Sequence, residues 1–295
     1  MLWATDAPFR VALLRDLPAG FIVLLEHLID VAVVLPVVIM YRQDLKKLKL
    51  VDWLALGFIG VCGSALASVA FTQSFVYTNP SVAILLQKLQ PIIAISLASA
   101  VLKEKLGPYF WLWAGLGIIG AYLISFSGLK PELYPGEAWN PQVMGVFLAL
   151  LAAAFWGAST VLGRYALKDV GFRLVTSLRF LIAFIFLLGL NFRHLSVKTL
   201  AHVSPKDWLF VFIIALASGV FSLFLYYQGL QYTKASVATI AELGFPLAAV
   251  LVNYFFLGAV LSQVQVAGMA ILLLAVMQLA KHNFHTEVEM GLAKD

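Results

Sequence analysis

Charge is scarce in this sequence, and its scarcity decides the class of protein. Only 12% of the 295 residues are charged against 62% hydrophobic, whereas a soluble domain carries roughly 25% charged residues. Such a chain has too little polar surface to face water. Cysteine is nearly absent as well: Cys62 stands alone inside an apolar run, which excludes a disulfide framework within the chain and a cysteine metal cluster. Catalytic signatures are missing. There is no glycine-rich phosphate loop before a Lys-Ser/Thr pair, no paired-histidine zinc helix and no Gly-x-Ser-x-Gly elbow, and the five histidines form no cluster. No cofactor or metal is expected, and a membrane-embedded enzyme is the least favoured reading. The net charge of +5 is spread over short loops without the dense basic stripe of a nucleic-acid binder. No basic leader or small-residue cleavage site follows Met1, so the first helix is expected to stay in the product.

What fills the sequence instead is apolar runs. A helix needs about 20 apolar residues to cross a bilayer core of roughly 30 Å, and runs of that kind fall at residues 20–41, 53–75, 81–101, 109–127, 143–166, 174–191, 208–230, 236–257 and 263–281, after a short one at 1–14. The expected fold is an all-α integral membrane protein of about ten transmembrane helices. The stretch Ser127–Gln142 holds Pro131, Pro135 and Pro141 and reads as a linker. With the N terminus inside, twelve Lys and Arg residues between Arg42 and Lys294 fall on the cytoplasmic side. Five (Arg15, Lys130, Arg193, Lys198 and Lys206) fall opposite, so both termini are expected in the cytoplasm.

An internal repeat organises these helices. A shift of 155 residues sets Asp52-Trp53 on Asp207-Trp208, Gln73 on Gln228, Tyr77-Thr78 on Tyr232-Thr233, Ser81-Val82-Ala83 on Ser236-Val237-Ala238 and Pro91 on Pro246; 14 of the 55 positions from Asp52 to Leu106 are identical. A shift of 153 sets Trp3 on Trp156 and Glu26 on Arg179. Two units of five helices follow: residues 1–127 and 143–281, joined by a linker at 128–142 and followed by a cytoplasmic tail at 282–295. An odd number of crossings makes the second unit inverted relative to the first, a geometry suited to alternating access. About ten apolar residues, Met144 to Ala153, precede the second unit's match to Leu2-Trp3, so the first helix looks too short to span. The natural start is expected upstream.

The pattern Tyr77-Thr78-x-x-Ser81-Val82-Ala83, then Pro91, then Leu102-Lys103-Glu104-Lys105-Leu106 and a helix ending at Gly120 resembles the EamA-type domain of the drug/metabolite transporter superfamily. The resemblance spans essentially the whole chain. It implies a carrier without chemistry of its own, many such carriers exporting amino acids, nucleobases or other metabolites. Two departures stand out: Ala259 occupies the place of Glu104 in the second unit, and Trp3-Ala4 replaces the aromatic-Gly start kept as Trp156-Gly157.

Ionisable groups inside apolar runs are the candidate site, because each costs roughly 2.5–3.5 kcal/mol at a helix centre if left facing lipid. Glu26 and Asp30 share a helix face with His27 beside them, and Lys88 lies deep in Leu86-Gln87-Lys88-Leu89-Gln90-Pro91. Glu242 is the repeat partner of Gln87 and sits before Gly244 and Pro246. The expected substrate-binding set is Glu26, Gln87, Lys88, Trp156, Tyr227, Gln228 and Glu242, with Glu26, Lys88 and Glu242 converging near the bilayer midplane. Each has a structural alternative. Lys88 could be an ion-pair partner of Glu26 or Asp30, and Asp30 or His27 could bond a neighbouring helix. Arg179 could be a structural partner, Asp6 and Arg10 an in-helix pair, and Trp3, Trp156, Tyr226 and Tyr227 packing aromatics. The function expected is a permease exporting a small polar or amino-acid-like metabolite, as monomer or homodimer, the alternative being a non-transporting membrane scaffold or sensor.

Overall fold

The computed structural model describes residues 2–107, 109–129, 140–168, 170–192, 200, 203–233 and 244–289. Every regular element among them is helical. A short turn at Leu2–Thr5 leads into α1 (Asp6–Leu13), followed by α2 (Ala19–Met40), α3 (Leu50–Tyr77), α4 (Pro80–Leu102), α5 (Phe110–Ser125), α6 (Pro141–Ala166), α7 (Phe172–Leu190), α8 (Pro205–Leu230), α9 (Gly244–Leu257) and α10 (Gln263–Glu289). Among the described residues, α2, α3, α4, α6, α7 and α8 are long and apolar enough to cross a membrane, while α5, Phe245–Leu257 and Gln263–Leu279 are shorter apolar helices.

The starts of these helices follow from local chemistry. Asn79 and Asn140 accept from the backbone N–H of Ser81 and Gln142, each with proline at the first helical position, and Ser204 and Asp207 cap α8 reciprocally. Asp52 accepts from the backbone N–H of Lys49 at 2.8 Å, which brings the start of α3 to Leu50 rather than the expected 53. At the other end of the chain α10 continues to Glu289 instead of stopping at 281. No proline or glycine interrupts Lys281–Glu289, so the helix persists where the apolar run has ended. Residues 236–243 of the expected ninth run lie outside the described residues.

Departures from regular helix recur at a spacing of 155. The middle of α3, Ile59–Leu66, and the middle of α8, Ile214–Phe221, are both π-helical. Both α4 and α9 end on a left-handed residue, Lys103 and Gly258, each with φ 61°. The N–H groups of Glu104 and Ala259 then reach back to the carbonyls of Ala98 and Asn253 at 3.3 and 3.2 Å. The stop is a backbone device, so it survives the exchange of Glu104 for Ala259. Within α4, Pro91 has no N–H to offer the carbonyl of Gln87, and Gln87–Leu89 tightens into a 3-10 turn.

The exterior is as apolar as the interior. Trp111, Phe221 and Phe255 are among many large exposed side chains, whereas Asp6, Arg10, Glu26, His27, Asp30, Lys88 and Arg179 are buried. That inversion is what a lipid surround selects. Helix α2 packs on α7, α5 on α10, and α6 on both α3 and α4.

Candidate functional site

Asp6, Arg10, Glu26, His27, Asp30 and Arg179 meet in a cavity of about 970 Å³, its open space included. The short first helix supplies Trp3, Asp6 and Arg10; α2 supplies Glu26, His27 and Asp30; α3 supplies Ser64, Ser68 and Phe71. From α4 come Gln87 and Gln90, from α6 Trp156 and Thr160, from α7 Arg179 and Phe180, and from α8 Ser218, Gly219 and Tyr226, while Phe245 of α9 closes one wall.

Most of the charge in this wall is already bonded. Arg10 grips Glu26 with two parallel contacts, Nη1 to Oε1 at 2.8 Å and Nη2 to Oε2 at 3.0 Å, and also holds Asp6 at 2.9 Å and the Thr72 hydroxyl at 2.9 Å. Arg179 donates to the Gly63 carbonyl at 2.7 Å, the Tyr227 hydroxyl at 3.1 Å and the Ser64 hydroxyl at 3.2 Å. His27 lies against the Val23 carbonyl at 2.9 Å and Ser64 at 3.1 Å. Asp30 differs: its Oδ1 is buried without a hydrogen-bond partner among the described residues, as is Oε1 of Gln87.

The two π-helical segments contribute Ser64, Ala215, Ser218 and Gly219 to the lining, and each gives a carbonyl to a side chain of another lining residue. The wider turn frees backbone acceptors, and Gly63 receives Arg179 while Ser218, its counterpart 155 residues on, receives the Trp3 indole N–H at 2.9 Å. Aromatic rings form much of the rest of the wall, together with Ile84, Ala215 and Leu223. Trp3 meets Tyr226 and Phe245 edge-on at 5.9 and 6.2 Å between centroids, and Phe71 meets Trp156 at 5.1 Å.

Of the expected site residues, Glu26, Gln87 and Trp156 line this cavity. Lys88 is not among the lining residues: it is buried with its ammonium 3.6 Å from the centre of the Phe245 ring, behind the wall that Phe245 forms. The partner of Glu26 is Arg10, not Lys88. Two positions lie elsewhere: Tyr227 is wholly buried behind Arg179, and Gln228 faces outward. One residue of helical advance turns the side chain by about 100°, so Tyr226 takes the cavity face. Glu242 lies outside the described residues. Ser64, Phe71, Thr160, Gly219 and Phe245 were not expected. The 155-residue register was the signal that could have found Phe71, the counterpart of Tyr226.

Comparison with known proteins bears on this geometry. The family profile described as the EamA-like transporter family matches residues 1–126 and 143–280. A protein named riboflavin transporter ImpX, from Fusobacterium nucleatum subsp. nucleatum, is 31% identical over 96% of this chain and 95% of its own length. An uncharacterized transporter of Bacillus subtilis, YwfM, is 28% identical over 63% of this chain and 60% of its own. One solved crystal structure shares the fold with a TM-score of 0.68, covering 98% of this chain and 94% of its own at 16% identity.

Proposed function

Because this chain belongs to the EamA-like transporter family, we propose that it is a secondary permease of the cytoplasmic membrane, carrying a small polar metabolite by alternating access between two inverted five-helix halves. The recurrence of the π-helical segments and helix stops at a spacing of 155 supports the duplication, and the Lys/Arg bias supports cytoplasmic termini. The single observation that carries the solute reading is the cavity wall, in which aromatic faces alternate with hydrogen-bonding groups.

The mixed charges that suggest an amino-acid-like solute are largely bonded to one another, while the rings of Trp3, Phe71, Trp156, Tyr226 and Phe245 remain as surfaces. Such a wall favours a flat heterocycle with polar substituents. A flavin has that form, and it is the solute in the name of the 31% identical relative. The test is counterflow of labelled riboflavin in sealed proteoliposomes. Uptake above empty vesicles that is abolished by excess unlabelled riboflavin is the expected result. Counterflow of an amino acid but not of riboflavin would return the solute to the amino-acid class. The same vesicles under an imposed gradient test the expectation of export.

A further inference from the structure

We propose that Asp30 and Gln87 are the pair that recognises the solute, and that they select an uncharged solute that donates hydrogen bonds while rejecting its anionic forms. The inference rests on the cavity being the transport site. Its starting point is an imbalance in the wall. The cations are occupied: Arg10 by Glu26, Asp6 and Thr72, and Arg179 by Ser64, Tyr227 and the Gly63 carbonyl. Two acceptors are not: Asp30 and Gln87 belong to the residues that line the cavity, and Oδ1 of Asp30 and Oε1 of Gln87 are buried with no hydrogen-bond partner among the described residues.

A buried acceptor without a donor costs about 1–3 kcal/mol, so its presence at a cavity wall specifies what must enter. Here that is a donor for each, from a hydroxyl or an N–H. Asp30 is only 2% exposed, and its carboxylate has been given room: a Cβ on Gly219 would stand 2.7 Å from Oδ1. The glycine of the second π-helical segment therefore fixes where the acceptor sits. The charge of the wall points the same way. Among the described lining residues, Asp6, Glu26 and Asp30 outnumber Arg10 and Arg179. A solute carrying a phosphate or carboxylate would meet acceptors and bonded cations, whereas a polyol arm or a ring N–H would satisfy both vacant positions.

The experiment uses the full chain in lipid nanodiscs with two probes, riboflavin and its phosphate ester, read by quenching of flavin fluorescence. Wild type is expected to bind riboflavin at least about tenfold tighter than the ester. Asp30→Asn should weaken riboflavin about tenfold and bring the two probes within a few-fold of each other, and Gln87→Met should weaken riboflavin severalfold. Gly219→Ala removes no polar atom and displaces only the carboxylate, so it should reproduce the Asp30→Asn result. It also keeps the test decisive if Asp30→Asn fails to fold, which thermal unfolding and size-exclusion profiles report. Riboflavin affinity unchanged in these variants, or equal binding of the ester by wild type, overturns the recognition pair and leaves the flavin reading standing. Folded wild type that binds neither probe overturns the flavin reading and this inference with it.

Discussion

Arg10 and Glu26 tie the short first helix to α2 through a two-pronged ion pair at 2.8 and 3.0 Å, buried on both sides. The second unit has a related arrangement of different chemistry: Arg179, at the position matched to Glu26, is held by Tyr227, and Tyr227 is the counterpart of Thr72, which Arg10 also grips. Both arginines thus anchor on the same register of the third helix of each unit.

Removing one partner of a buried ion pair leaves an uncompensated charge, at about 3–5 kcal/mol. Arg10→Met is therefore expected to lower folded yield and thermal midpoint sharply, because Glu26 and Asp6 lose their cation together. Arg10→Met combined with Glu26→Gln should recover most of the loss. A thermal unfolding series on the purified variants checks this, and additive losses in the double variant would dissolve the pairing.

Helices α5 and α10 cross at two glycines. A Cβ on Gly120 would lie 2.7 Å from the Leu272 nitrogen and 2.8 Å from the Gly268 carbonyl, and one on Gly268 would lie 2.7 Å from the Gly120 carbonyl. The obstructing atoms are backbone and cannot swing aside, so the helices themselves must part. Gly120→Val or Gly268→Val should cost about 1–3 kcal/mol or more, read as a drop in thermal midpoint. Gly115→Val is the control, since nothing stands within 4 Å of a Cβ there.

How much of this was legible beforehand follows from which periodicities a sequence carries. The apolar runs and their caps were readable, since Asn79, Asn140 and the Ser204–Asp207 pair act within a few residues of themselves. Glu26, Gln87 and Trp156 were readable too, as polar or wide groups in runs that otherwise avoid them. Tyr226 and Tyr227 were not separable, because adjacent residues differ only in facing and a helix surrounded by apolar contacts shows no amphipathic stripe. Arg10 as the partner of Glu26 was hidden by distance in the chain: the choice between Arg10 and Lys88 depends on how α1 packs against α2. The carbonyls of Gly63 and Ser218 carry no sequence signal of their own, since a π-helical segment is a backbone event.

Tyr226 and Tyr227 can be told apart by experiment. Tyr227→Phe deletes a hydroxyl that accepts from Arg179 in a wholly buried setting, and should cost about 1–2 kcal/mol of stability with flux per folded molecule kept within a few-fold. Tyr226→Ala removes cavity wall, and should lower flux per folded molecule about tenfold with a smaller effect on yield. Proteoliposome flux normalised to folded protein separates the two. The opposite ranking would move the cavity face to Tyr227.

Orientation yields a direct test as well. The loop between α2 and α3, with Lys46, Lys47 and Lys49, is expected in the cytoplasm. Cys62 is the only cysteine, so Lys46→Cys in a Cys62→Ala background gives a single reporter. It should resist a membrane-impermeant maleimide in intact cells and react once they are opened. Labelling in intact cells would invert the topology.

The bond from the Trp3 indole to the Ser218 carbonyl at 2.9 Å links the Leu2–Thr5 turn to the second π-helical segment, beside the Tyr226 and Phe245 rings that Trp3 meets edge-on. If the proposed alternating cycle changes the mutual packing of the two units, a contact from a side chain of one to a carbonyl of the other is expected to form in one arrangement and to be released in the other. Trp3→Phe keeps an aromatic wall and removes only the donor. Its expected effect is a loss of about 1–2 kcal/mol of whichever state contains the bond, so the balance between states shifts about tenfold. Thermal stability should fall little while flux per folded molecule changes severalfold. Riboflavin affinity, set by the rest of the wall, should move less than flux does. Equal changes in affinity and flux would make Trp3 a wall residue only and would remove the Ser218 bond from the cycle.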